Sequence, residues 1–266
     1  QALVNGVSPN ALSNPDLKWE ETSSFDLGFD ATLFEGITLA TSYFNKKTYG
    51  MLLQQVVPSY VGNTGPYANT ADLYNRGFEI ELGWNKSVGE FSFRVAGNAS
   101  FIKNEVTLLG ADKDYLPSRQ TITPQGLEVT RVAVGQAVDS FFGYQSAGLF
   151  QNQAEINNYK NSGGTLIQPN AKPGDIKFLD LNGDGLISDG DRTFLGKSNP
   201  NFTYGLTFSA KYKGFDLSLF GQGVSGNMIF NGLRRFDLSP SNYTTNILNR
   251  WTGEGTSNTV PRATLA

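Results

Sequence analysis

The stretch Phe202-Thr203-Tyr204-Gly205-Leu206-Thr207-Phe208-Ser209-Ala210-Lys211-Tyr212, followed at once by Lys213-Gly214 and then by Phe215-Asp216-Leu217-Ser218-Leu219, decides the fold. Apolar residues alternate with small or polar ones, which is the period of a strand with one apolar and one polar face. Lys213-Gly214 is a tight link in which glycine supplies positive φ, so the two runs read as a hairpin. Moving outward, the same alternation recurs in four more places. Phe25, Leu27, Phe29, Ala31 and Leu33 form one such set, and Ile37, Leu39, Thr41 and Tyr43 a second. Phe78, Ile80, Leu82 and Trp84 form a third, and the run from Phe91 through Phe93, Val95, Gly97 and Ala99 to Phe101 a fourth. Six long strands result.

Glu35-Gly36 and Ser87-Val88-Gly89 read as the other tight turns, whereas the connections over 50–72, over 105–200 and from 230 onward are long. Antiparallel strands then place every tight turn on one side and every long loop on the other. With long alternating segments and aromatics near the strand ends, that asymmetry is the pattern of an antiparallel transmembrane β-barrel with long extracellular loops. A soluble β-sandwich also alternates and is the competing reading. Its strands run to about five or six residues, and inner-face Ser, Thr, Asn and Gly suit a wet lumen better than a second packed sheet. Parity requires an even number of crossings between the strand at 90–104 and the strand at 201–212, most simply zero. The apolar stretch from Ser140 to Phe150 is therefore expected as loop or as an inward-folded hairpin, and 105–200 as a large extracellular loop region. Trp19 and Trp84 fit interfacial anchors.

Composition removes whole classes of chemistry. A chain of 266 residues with 19 Phe, 11 Tyr and 30 Gly is too aromatic for disorder and too rich in Gly and Phe for a helical bundle. The absence of His excludes imidazole-based triads and metal sites, and the absence of Cys excludes disulfides and thiolate nucleophiles. A net charge of −3 argues against nucleic acid as a partner. No apolar run is long enough for a transmembrane helix. The chain opens without Met or a signal peptide and closes without a final element, and it reads as a fragment.

Within 105–200 lies Asp180-Leu181-Asn182-Gly183-Asp184-Gly185-Leu186-Ile187-Ser188-Asp189-Gly190-Asp191. Its spacing is that of the twelve-residue Ca²⁺ loop over 180–191. Asp180, Asn182 and Asp184 would each give a side-chain oxygen, Leu186 its carbonyl, Ser188 a held water, and Asp191 would close the shell. A hard cation takes about six to eight oxygens, and its charge makes the crowded acids tolerable. Asp rather than Glu in the last place resembles dockerin-type loops, and no amphipathic helix precedes Asp180, so the loop stands alone. An Asx-rich surface turn with no ion is the competing reading. The role of Ca²⁺ would be structural, pinning a long loop that is otherwise costly to order.

Weaker patterns add little. Gly196-Lys197-Ser198 ends like a P-loop, but Gly190 lies one residue too far upstream. Glu79 and Glu81 share the polar face and read as lumen-facing residues, with a glycosidase pair a remote alternative. Arg234-Arg235 reads as solvated loop.

Five ordered stretches carry a resemblance: Asn14-Pro15-Asp16-Leu17-Lys18-Trp19-Glu20, Asn75-Arg76-Gly77-Phe78-Glu79-Ile80, Val134-Gly135-Gln136 through Phe141-Phe142-Gly143-Tyr144, Gly174-Asp175-Ile176-Lys177-Phe178, and Asn199-Pro200-Asn201-Phe202-Thr203-Tyr204-Gly205. In these the chain resembles the C-terminal part of the barrel of SusC/RagA-type TonB-dependent outer-membrane transporters, over nearly its whole length. The Ala137-Val138-Asp139 stretch departs from the usual motif where a Pro is expected nearby. The resemblance implies an all-β fold, a segment of a 22-stranded barrel, with the plug, the first strands and the last strands absent from these residues. It implies residence in the bacterial outer membrane against lipid and a SusD-like surface lipoprotein lid. Energy would come from TonB–ExbB–ExbD acting through the plug and TonB box, and the cargo would be an oligosaccharide or a peptide. Six strands cannot close such a barrel, so this segment alone is expected to transport nothing and to catalyse nothing. Tyr60, Tyr67, Tyr115 and Tyr144, in the expected outer loops, are candidates for stacking on sugar rings. The competing function is a soluble, calcium-stabilised β-sandwich that binds glycans; a hydrolase is the third.

Overall fold

The computed structural model describes residues 12–34, 36–55, 57, 60, 62–110, 114–119, 128–231 and 244–264. Its strands are β1 (Glu21–Leu33), β2 (Ile37–Gln54), β3 (Tyr67–Val88), β4 (Phe91–Leu109), β5 (Tyr115–Arg119) and β6 (Thr130–Ala133). There follow β7 (Ser140–Tyr144), β8 (Ser146–Leu149), helix α1 (Gln153–Asn158), β9 (Ile176–Phe178), β10 (Arg192–Gly196), β11 (Phe202–Tyr212) and β12 (Phe215–Ser225). The chain divides into two units. The first holds Gln1–Leu116, Val132–Asp139 and Lys197–Met228; the second holds Pro117–Arg131, Ser140–Gly196 and Ile229–Ala266. Arg234-Arg235 lie outside the described residues.

The first unit is one antiparallel sheet in the order β1-β2-β3-β4-β11-β12. All six strands expected from alternation are present, and β4 pairs directly with β11. No strand lies between them in the sheet, the simplest arrangement that parity allows. The turns differ in detail. Val88 faces Phe91 across the ladder, so the second hairpin closes on Gly89-Glu90, and Ser87 and Val88 belong to the strand. At the third, Lys213 and Gly214 both have positive φ (47° and 82°), the geometry of a type I′ turn whose twist matches the strands it joins. The connection between the second and third strands is also shorter than expected: β2 runs to Gln54 and β3 begins at Tyr67.

Register shows how the alternation is used. Directly paired residues share a face, and one row across the sheet reads Ala31, Leu39, Leu82, Gly97, Leu206, Gly221. The next row toward the turns reads Leu33, Ile37, Trp84, Val95, Phe208, Leu219. On the opposite face a row reads Asp30, Ala40, Glu81, Asn98, Gly205, Gln222, and its neighbour Gly28, Ser42, Glu79, Ser100, Thr203, Val224. A sandwich would bury the apolar rows. Here Phe25, Leu27, Phe29 and Leu219 are each more than half exposed (58%, 64%, 62% and 57%). The buried cluster of this unit is elsewhere, on the loop-side extensions of the strands: Ala71, Val106 and Leu109, packed with Met51, Leu53, Leu73, Leu116, Val132 and Val138.

Several of the family-like stretches hold these extensions together. Asn69 accepts the Lys18 N–H (2.8 Å) and donates to the Lys18 carbonyl (2.8 Å), which lays the segment before β1 alongside the sheet. Asn104 donates to Asn75 (2.7 Å) and accepts the Val138 N–H (2.9 Å). The Gly135 N–H donates to the Val106 carbonyl and the Val106 N–H to the Gln136 carbonyl, both at 2.8 Å. The Val134-Gly135-Gln136 stretch thus acts as a short clamp on β4.

In the second unit β7 pairs with β10 on one side and β6 on the other, while β8 pairs with β9. Ser140–Phe150 is therefore neither open loop nor a hairpin: β7 and β8 are adjacent in sequence but ladder with different partners. The reason is the β-propensity of this aromatic run and the availability of β9 and β10, which sequence alone did not pair with it. The segment after 250 docks on this unit through Gln151. Its amide donates to Ser257 O and Asn258 Oδ1 and accepts from Trp251 Nε1 and the Gly255 N–H. Arg262 adds a two-point ion pair to Asp175, Nε–Oδ1 2.6 Å and Nη2–Oδ2 3.3 Å.

Candidate functional site

Two features of the first unit give its sheet a membrane-wall geometry. The first is the distribution of side chains along the apolar face. Tyr43, Phe78, Phe101 and Phe202 form a continuous row at the loop side, with Phe101 stacked on Phe202 at 4.7 Å and Phe202 on Tyr204 at 5.4 Å. At the turn side Trp84, Phe91, Phe93, Tyr212 and Phe215 make a second group, with Trp84 edge-on to Phe93 at 4.8 Å. Between them lie aliphatic and small residues. From Phe91 to Phe101 the strand advances ten residues; at about 3.4 Å per residue and a tilt of about 40° that spans roughly 26 Å. This is the height of the lipid-facing band of an outer-membrane barrel, with an aromatic girdle at each interface. Trp84 sits in the turn-side girdle; Trp19 is almost wholly exposed ahead of β1.

The second feature is the curl of the sheet. Residues from all six strands line one concavity of about 800 Å³ on the polar face. Glu79 anchors its floor, accepting from Ser100 Oγ (3.1 Å) and Ser42 Oγ (3.4 Å). Glu79 and Glu81 both line this wet face, and nothing about them departs from an ordinary polar wall. Two glycines shape the faces. Gly77 lies directly opposite Phe44, whose ring occupies the space a Cβ would need on the polar side. Gly223 lies opposite Tyr204, whose ring does the same on the apolar side. Sequence reading missed both pairs, because a glycine under a cross-strand aromatic shows only once the register is known.

The acidic loop lies in the second unit. Asp180, Asp184 and Asp191 each bring a carboxylate oxygen within 4.8 Å of the other two. Local backbone chemistry places them. Asp180 accepts the N–H groups of Gly183 (2.7 Å) and Gly185 (2.9 Å), and Asn182 accepts that of Asp184 (2.9 Å). Asp191 is fully buried and accepts from the N–H groups of Leu181 (2.8 Å), Asn182 (3.3 Å) and Ser188 (2.8 Å). Burial works against its charge, but those backbone donors outweigh it and hold the carboxyl below the usual range. Gly185 sits at φ 85°, and a Cβ there would strike Asn161, so the sharp turn needs glycine. Leu186 is exposed, with its N–H donating to Asp184 (2.9 Å), and Ser188 caps the short 3-10 turn Asp189–Asp191. Among the described residues none of the three carboxylates has an ion-pair partner. The donor set, hard oxygens and excess negative charge, is the kind a Ca²⁺ ion takes.

The four candidate tyrosines do not form one group. Tyr60 is exposed in the β2–β3 loop, Tyr67 begins β3 and Tyr115 begins β5. Tyr144 ends β7, with its ring tilted against Phe178 and its hydroxyl donating to Asp189 (3.2 Å). Burial, with help from the Asp189 hydrogen bond, raises its pKa. Tyr144 thus buttresses the acidic loop.

The family model described as TonB dependent receptor-like, beta-barrel matches residues 2–132. The chain is 32% identical over 262 residues to TonB-dependent receptor P3 of Formosa agariphila, covering 97% of this chain and 26% of that protein. It belongs to the TonB-dependent receptors. It is also 28% identical over 224 residues to TonB-dependent receptor SusC of Bacteroides thetaiotaomicron, covering 82% of this chain and 20% of that one. In fold it matches the RagAB peptide importer in its open-open state, with a TM-score of 0.67, 22% identity and coverage of 94% of this chain and 26% of that chain. The chain therefore spans about a quarter of the length of the relatives it matches, and its open six-stranded sheet, with β1 and β12 as edges, is a part of a TonB-dependent receptor barrel. TonB-dependent receptors are outer-membrane β-barrel proteins and not enzymes.

Proposed function

We propose that these residues form wall and extracellular structure of an outer-membrane importer of oligosaccharides or peptides. In this reading a SusD-like surface lipoprotein acts as its lid, and TonB–ExbB–ExbD drives it through a plug and TonB box. The observation that carries the reading is the register: it sorts six strands into one apolar face with two aromatic girdles and one polar, concave face. Water cannot stabilise the first, and lipid cannot stabilise the second. The test is an intact mass with peptide mapping on protein extracted from membranes. A mass near 100 kDa, with plug peptides upstream of Gln1, is expected, that figure being of the order of four times this segment for a 22-stranded barrel with its plug. A water-soluble product of 28.9 kDa would sink the reading and favour the calcium-bound glycan-binding sandwich.

The acidic loop is proposed to hold a structural Ca²⁺ through Asp180, Asn182, Asp184, the Leu186 carbonyl and Asp191, with Ser188 positioning a water. With Ca²⁺ at about a hundred times its dissociation constant the ion would stabilise the second unit by about 2.7 kcal/mol. Chelation is expected to lower the melting temperature of wild-type protein and to leave an Asp180→Asn/Asp184→Asn variant unmoved. Identical melting of wild type with and without chelator would show that backbone hydrogen bonds alone hold the loop.

A further inference from the structure

One rung beyond the loop-side aromatic girdle, the apolar face changes character abruptly. Arg76 and Lys103 are direct cross-strand partners there, and Lys47, opposite Tyr74, is the diagonal neighbour of Arg76. All three lie on the outward face in line with Phe78 and Phe101. Like charges directly opposite each other destabilise a sheet, so this placement is a cost unless something anionic meets it. Internal partners are few. Lys103 pairs with Glu105 at 2.6 Å while its side chain remains 54% exposed. Arg76 donates to Tyr74 Oη (3.2 Å) and lies over that ring, and Lys47 lies over the Tyr49 ring at 4.7 Å, and among the described residues neither makes an ion pair.

We propose that Lys47, Arg76 and Lys103 form a binding site for the phosphate groups of lipid headgroups in the outer leaflet. The proposal rests on the membrane-wall reading. Depth and charge choose the occupant. A girdle of aromatic rings marks the boundary of the hydrocarbon, so the next rung of the same face lies among headgroups, where cations attract anionic lipid. Planar guanidinium and ammonium groups together are the donors that phosphate oxygens take. At the turn-side end of the same face Lys86 sits beside Phe93, and Lys213, over the Tyr212 ring, is paired with Glu90 at 3.5 Å, so among the described residues the cluster of directly facing cations lies at the loop side.

The test uses the full-length protein extracted from membranes, reconstituted in vesicles of phosphatidylcholine with or without phosphatidic acid, and native mass spectrometry to count retained phosphatidic acid. Wild-type protein is expected to retain it, and excess inorganic phosphate is expected not to displace it. At about a fivefold loss per cation, the double variant Arg76→Gln/Lys103→Gln should bind about twenty-five-fold more weakly, whereas Lys86→Gln should bind as wild type does. Equal retention by the double variant, equal loss in Lys86→Gln, or displacement by inorganic phosphate would overturn the site while leaving the membrane wall standing. Failure of the protein to enter vesicles of either composition would overturn both.

Discussion

Leu206→Arg is expected to cost about 2–4 kcal/mol of folding stability in a bilayer, the cost of a cation at the midplane of a barrel's lipid face. Thr207→Arg, one residue further along the same strand, is expected to cost less than about 1 kcal/mol, because its side chain leaves on the wet face. Leu206 lies inside the band, four residues from the Phe202 girdle and six from the Tyr212 girdle, about 10 Å from the first and about 16 Å from the second. Its row neighbours are Gly97 and Gly221, which offer an arginine no polar partner. Guanidinium unfolding of the full-length protein in phospholipid vesicles would read the difference as a shift in midpoint. The contrast between the two positions is the informative quantity. In a soluble sandwich the apolar face is the packed interior, and the dependence on lipid disappears: Leu206→Arg would be as damaging in detergent-free buffer as in vesicles. A tolerated Leu206→Arg beside a damaging Thr207→Arg would reverse the assignment of the faces.

The strands could be read from the sequence because strand period and hairpin glycine are both local properties. Phe202 to Tyr212 alternates without a break, and Lys213-Gly214 closes the hairpin with two positive φ angles. The direct β4–β11 contact followed from the same locality, since turn chemistry fixes strand direction and direction fixes parity. The acidic loop was legible for a related reason: its spacing lies within one short segment, and in the structure three of its carboxylates converge. What sequence did not show depends on partners far along the chain. The loop-side extensions of β2 to β4 contain register shifts near Met51 and between Asp72 and Leu73, which break the alternation where those strands leave the band. Val106 pairs with Gln136 and Asn104 with Val138, separations that no period encodes. Tyr144 was a candidate because it falls in the expected outer loops; the contact of its hydroxyl with Asp189, 45 residues away, no period encodes. The aromatic residues of the two girdles were visible as aromatics near strand ends, but only the register makes them continuous rows.

Gly174→Ala is expected to be the most damaging single methyl added to the second unit. Gly174 has φ 87°, and a Cβ built on it would run into the Trp251 ring and close on Arg262. Left-handed backbone costs an ordinary residue about 1–3 kcal/mol, and forcing a methyl into an occupied space adds about 1–3 kcal/mol more. Trp251 cannot simply swing away. Its indole Nε1 donates to Gln151 Oε1 (3.2 Å) and its backbone N–H to the Val260 carbonyl (2.8 Å), while Arg262 is held beside it by Asp175 and by its N–H bond to the Gly174 carbonyl (3.0 Å). The methyl therefore acts on the whole docked segment from Trp251 to Arg262. Gly164→Ala is the matched control, with nearly the same φ of 81° but open space around it, so it isolates the backbone strain. Amide hydrogen exchange should show residues 250–262 losing protection in Gly174→Ala and keeping it in Gly164→Ala, with total destabilisation of about 3 kcal/mol or more for the first and about 1–2 kcal/mol for the second. Equal exchange in the two variants would mean that the Trp251 ring does not hold the segment, and that the Arg262–Asp175 pair and the Gln151 hub dock it alone.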